Sequence, residues 1–155
     1  MRLNKFIAQS GECSRRQADN YVLEGMVTVD GTLQLNPAYQ VSESDEVRFD
    51  GRRIYPEHKI RTILLNKPEG YITTMKDPQG RKTVIDLINS SERLFPIGRL
   101  DKDTSGLLLL TNNGNLANLL THPRNKIERI YELELDSPFE SWEKRKIMKK
   151  VYIGQ

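Results

Sequence analysis

The run from Gly98 to Gly114, GRLDKDTSGLLLLTNNG, constrains the fold more than any other stretch, because it sets an acidic, glycine-bounded segment between two apolar ones. Phe95 to Leu100 reads as a short strand and Leu107 to Thr111 as a fully buried one. The segment between them must turn at the surface, and it displays the carboxylate of Asp101. Loops carried on a rigid scaffold are where reacting groups concentrate.

From its residues alone, Asp101 admits three readings: a turn former bonding its own backbone, one arm of an Asp101/Asp103 metal pair, or a reacting carboxylate beside Arg99. No further His, Cys or carboxylate stands nearby at ligand spacing, and two carboxylates alone make a poor site, so no metal is expected. On a continuous strand Arg99 faces the same side as Asp101, since side chains alternate with period two. A guanidinium so placed favours the charged carboxylate.

Leu3, Phe6 and Ile7 recur at helical spacing and predict a short amphipathic helix over 3–9, ending near Gly11. Ser14 with Gln17 is a capping-box signature that opens a second helix, running through Glu24 and stopping at Gly25. Arg15 and Arg16 fall in its first turn, where the helix dipole already favours anions. A phosphodiester held by the helix N–H groups and both guanidinium groups relieves that conflict; two ordinary solvated arginines are the alternative. Val27 to Asp30 and Glu46 to Phe49 read as strands, which makes residues 1–51 a small α+β module and 52–61 a polar linker. Beyond it, Thr62 to Leu65, Tyr71 to Thr74 and Tyr131 to Leu135 read as strands, with short helices over Thr83 to Ile88 and Leu116 to Leu120.

Charge placement says more than the net charge of +3. Residues 1–60 carry eight Lys and Arg against nine Asp and Glu, yet Arg2, Lys5, Arg15 and Arg16 crowd the first sixteen positions. At the other end, Lys144, Arg145, Lys146, Lys149 and Lys150 cluster. The single cysteine, Cys13, excludes an internal disulfide and reads as a small buried hydrophobe. His58 and His122 stand beside Pro56 and Pro123 as loop residues. No apolar run has signal-peptide or membrane-span length, so a cytoplasmic protein is expected, with no membrane partner.

Four segments in order carry a resemblance: Arg2 to Ile7 with Cys13 to Arg16 and Val27 to Gly31; Leu65-Asn66-Lys67-Pro68-Glu69-Gly70; Gly98 to Asp101 with Gly106-Leu107 and Thr111 to Gly114; and Glu128-Arg129-Ile130-Tyr131. The first resembles the small RNA-binding domain shared with ribosomal protein S-four. The others resemble the first catalytic strand, the signature loop and the tyrosine segment of bacterial rRNA pseudouridine synthases, in particular the RsuA family and its large-subunit members of the RluF kind. The resemblance implies an α+β chain: an S-four-like domain over 1–51, then, over 62–155, the N-terminal part of a mixed, mainly antiparallel catalytic sheet with flanking helices. It covers nearly the whole chain but only part of the family's length, with no counterpart of a later basic helix or of the apolar residue that contacts the target base. The chain therefore reads as truncated at its C-terminus.

The resemblance also implies roles. Asp101 is the catalytic carboxylate; Arg99 fills the space left by the flipped uridine; Tyr131 lies against the extruded uracil. Arg2, Lys5, Arg15, Arg16 and Lys67 contact RNA. Arg129 stands where the family usually has Lys, which keeps charge but not geometry. The chemistry needs no cofactor, and the implied partner is ribosomal RNA, preferably large-subunit, with tRNA as an alternative. Two other functions are carried forward: an RNA-binding remnant without turnover, and a metal-dependent phosphoesterase on Asp101 and Asp103. An incomplete sheet leaves an edge and uncovered leucines over 107–110, which predicts self-association.

Overall fold

A computed structural model describes residues 1–56, 59–132, 134–138 and 140–148, with only the backbone of residues 141 and 147. His58, Lys149 and Lys150 lie outside the described residues. Residues 1–125 form one compact unit and 126–155 a second.

The first part of the larger unit packs two helices on a small antiparallel sheet. Helix α1 (Leu3–Gln9) and helix α2 (Arg15–Leu23) form as their periodicity and caps predict. The Ser14 hydroxyl accepts from the Gln17 N–H at 3.3 Å, and the Gln17 side chain accepts from the Ser14 N–H at 3.1 Å. Strands β1 (Val27–Val29), β2 (Thr32–Leu33), β3 (Val47–Phe49) and β4 (Arg52–Arg53) lie in the order β2-β1-β3-β4. Both hairpins turn on Asp-Gly, with φ of 48° and 77° at Asp30-Gly31 and 48° and 74° at Asp50-Gly51. Positive φ at both central residues is the type I′ geometry that matches strand twist.

Strands β2 and β4 were not anticipated. Arg52–Arg53, expected in a linker, pair with β3, and Ile54 is buried in the first core. That core joins Leu3, Phe6 and Ile7 to Ala18, Val22, Val27, Val29, Val47 and Phe49, with the Tyr21 and Phe49 rings 5.2 Å apart. Cys13 is buried, as expected, and burial pushes its thiol pKa up.

The second sheet has the order β5-β7-β6, all antiparallel: β5 (Thr62–Lys67), β6 (Phe95–Ile97) and β7 (Gly106–Thr111). Its core is Val84, Leu94, Leu108 and Leu110, flanked by Ile63, Leu65 and Leu100. Strand β7 is not fully buried: Leu108 and Leu110 face the core, whereas Leu107 is 70% exposed on the opposite face. Tyr71 to Thr74 form no strand; Ile72 makes an isolated bridge to Thr83, ahead of a 3-10 turn over Val84–Leu87. Helix α3 (Gly114–Thr121) is capped by the Asn113 side chain, which accepts from the N–H groups of Asn115 and Leu116. His122 follows it as C-cap, and Pro123 starts a 3-10 turn.

In the smaller unit the described residues of 131–135 form no strand, in contrast to the alternation read there, since period two alone supplies no neighbouring strand to pair with. Helix α4 (Ser141–Ile147), which the sequence reading missed, carries Lys144, Arg145 and Lys146 in its last turn. Among the described residues no helix is long and apolar enough to cross a membrane.

Candidate active site

The antiparallel register places Lys67 at the end of β5 directly opposite Gly106 at the start of β7. The loop bearing Asp101 leaves β6 after Ile97 and returns at Gly106, so the ends of β5, β6 and β7 frame it. Gly98 breaks β6 with φ of 77°, a left-handed conformation that a side chain resists. Strand β6 therefore stops before Arg99, and the period-two argument that aligned Arg99 with Asp101 does not apply. The two form no ion pair, and both are exposed.

Local bonds fix the backbone on either side of Asp101. The Thr73 hydroxyl donates to the Leu100 carbonyl at 2.6 Å and accepts from the Leu100 N–H at 3.2 Å. The Gly70 N–H donates to the Lys102 carbonyl at 2.8 Å, and the Thr104 N–H closes a turn onto the Asp101 carbonyl at 3.2 Å. Gly106, with φ of 140°, ends the loop where an added Cβ would meet Leu100 Cδ1 at 3.8 Å.

Lys67 corrects the sequence reading. Expected against RNA, its side chain is fully buried. Its Nζ donates to the carbonyls of Pro68 at 3.1 Å, Lys102 at 3.2 Å and Thr104 at 2.6 Å, which uses all three ammonium donors. Lys67 thus ties the Asp101 loop to β5. The signal lay in the strand itself: Ile63, Leu65 and Lys67 share one phase of the alternation. Thr73 was missed because its partner lies 27 residues further on and nothing local announces it.

Asp101, held this way, presents an ionisable carboxylate to solvent on a fixed backbone, and its side chain bonds to no other described residue. Among the described residues no three His, Cys, Asp or Glu side chains gather into a group able to hold an ion. Tyr131 belongs to the smaller unit and is 77% exposed. Arg2, Lys5, Arg15 and Arg16 lie on or beside α1 and α2, and none has a side-chain partner among the described residues.

Fold and site together define a class: a two-helix, small-sheet module followed by an antiparallel sheet whose loop displays one pinned, exposed aspartate. Sequence comparison makes the class specific. Residues 61–154 match the RNA pseudouridylate synthase family and residues 1–47 the S4 domain, and the chain belongs to the RNA pseudouridylate synthase family. It is 46% identical over 134 residues to an uncharacterised RNA pseudouridine synthase of Aquifex aeolicus, covering 84% of this chain and 53% of the relative. It is 45% identical over 132 residues to one of Rickettsia felis, covering 85% and 58%. To the dual-specificity RNA pseudouridine synthase RluF of Escherichia coli K12 it is 42% identical over 140 residues, covering 89% and 48%. A solved structure described as a pseudouridylate synthase is 30% identical, covers 81% of this chain and 54% of its own, and superposes with a TM-score of 0.45. The chain spans about half the length of the curated relatives it matches.

Proposed function

We propose that this chain acts in the isomerisation of a specific uridine to pseudouridine in ribosomal RNA of the large subunit, in the cytoplasm. The observation that carries the reading is Asp101, exposed on a loop whose neighbouring carbonyls are tied down by buried Lys67. The reaction breaks the bond from ribose to the uracil nitrogen, turns the base and rejoins it through carbon, releasing the proton from that carbon. An ionised carboxylate serves either as nucleophile or as base toward the ribose without prior activation. Arg99, next but one along the loop, fills the space vacated by the flipped uridine, a step that costs a few kcal/mol. Tyr131 stacks on the extruded base. The first module, which includes β4 and Ile54, docks the RNA through Arg2, Lys5, Arg15 and Arg16, and 62–155 supply part of the catalytic domain.

Tritium release from the uracil ring of labelled rRNA tests this. Release by the chain and its loss in Asp101→Asn, with RNA affinity retained, is the expected result; release that persists in Asp101→Asn overturns the assignment. A second reading follows from the chain's span of about half its relatives: an RNA-binding piece of such an enzyme. It predicts salt-sensitive RNA binding without tritium release.

A further inference from the structure

Within residues 1–125 a cleft of about 540 Å³ opens between the helices of the first module and the β6–α3 corner of the second sheet. Three cations line it, Lys5, Arg15 and Arg93, and no carboxylate does. Elsewhere in this unit Arg48, Arg52, Arg53, Lys59, Arg61 and Arg81 are ion-paired, while Arg2, Arg16 and Arg99, like the cleft cations, are not. The three cleft cations have neither an ion pair nor a side-chain hydrogen bond among the described residues. Glu92, beside Arg93 in sequence, is already held by Arg61 at 3.0 Å and Lys59 at 3.6 Å.

Between those cations the lining changes character. Met75 and Phe95 give an apolar surface, and the side-chain amides of Gln9, Asn115 and Asn118 reach the same space without partners of their own. The neighbouring amides of Asn112 and Asn113 are spent on backbone groups. Uncompensated positive charge, an aromatic platform and free amides in a site of this size match one nucleotide: phosphate for the cations, a π-face for Phe95, a base edge for the amides. A paired duplex offers this concavity only its phosphates, because its bases are stacked away.

We infer that the cleft receives one unpaired nucleotide of the RNA, distinct from the uridine presented to Asp101, and so helps to select the RNA; the inference rests on the RNA reading above. Asp101 does not line the cleft. Phe95 precedes Asp101 by six residues, at most roughly 20 Å of chain, and Met75 follows by two residues the Thr73 that grips Leu100. A strand that feeds the catalytic loop thus passes the cleft.

Fluorescence anisotropy tests the inference with two labelled RNAs, a hairpin bearing an unpaired loop and a blunt duplex of equal length. The wild-type chain should prefer the hairpin. Asn118→Asp, at an exposed position, should weaken hairpin binding about tenfold and leave duplex binding nearly unchanged. Arg93→Gln should weaken the hairpin and make its log-affinity against log-salt slope shallower by about one. Circular dichroism melts confirm that both variants are folded. Hairpin binding by both variants with wild-type affinity and slope overturns the cleft while leaving the enzyme reading intact, as does an equal loss on hairpin and duplex with Asn118→Asp. No binding of either RNA by the wild-type chain overturns the RNA reading and the cleft with it.

Discussion

At Lys67 a buried ammonium is satisfied by three neutral carbonyls, so its removal takes a donor from Pro68, just after β5, and from Thr104 in the Asp101 loop, while the Lys102 carbonyl keeps the Gly70 N–H. Lys67→Met keeps the apolar stem and loses the donors; a destabilisation of about 1–3 kcal/mol is expected, measured by denaturant melts. Glu92 and Asp77 contribute most to the acid limb of stability, with Glu46, lowered by its hydrogen bond from Arg48, acting in the same direction. The Ser90 hydroxyl, with help from the Arg61 guanidinium, holds the Glu92 carboxyl at about 2, and Arg81 holds Asp77 at about 2. Both lie below the ordinary values of 4.5 and 3.8, so the folded state prefers the charged forms. Their contribution is complete above those ordinary values and is lost as pH falls toward 2. Glu92→Gln should therefore be less stable at neutral pH and should show a shallower decline between pH 4.5 and 2 in melts across a pH series.

Among the elements, the break in β6 is the feature with the most consequence for the loop. Gly98→Ala introduces a Cβ that meets nothing within 4 Å, so its cost is conformational, about 1–2 kcal/mol from the left-handed φ of 77°. Thermal melts check the cost, and Gly98→Asn, a residue more tolerant of that region, should recover part of it. Helices α1 and α2 were legible in the sequence because their information is local: spacing at Leu3, Phe6 and Ile7, and a reciprocal cap at Ser14 and Gln17. The two-residue strands β2 and β4 were not, because Thr32–Leu33 and Arg52–Arg53 are too short to show a period, although the Asp-Gly pair before each marked the hairpin. Asp101 was legible as a displayed carboxylate. Its support was not, because the bonds from Lys67 span 35 and 37 residues and depend on the β5–β7 register.

For the molecule as a whole, the second sheet leaves Leu64 61% and Leu107 70% exposed on one face. We expect a second copy of the chain to cover this face, seen as a mass that rises with concentration in light scattering; Leu64→Lys with Leu107→Glu should hold the chain monomeric. The two hydrophobic cores differ in how far along the chain they reach. The first draws every member from residues 3–54. The second must bring Ile63 and Leu65 together with Leu108 and Leu110. Order of synthesis then becomes order of folding, since contacts of short separation close before those that must wait for distant chain. The first module is complete while the aspartate is still untranslated, and a stalled nascent chain with residues 1–56 clear of the ribosome should already resist protease, whereas one ending before β7 should be cut within 62–105.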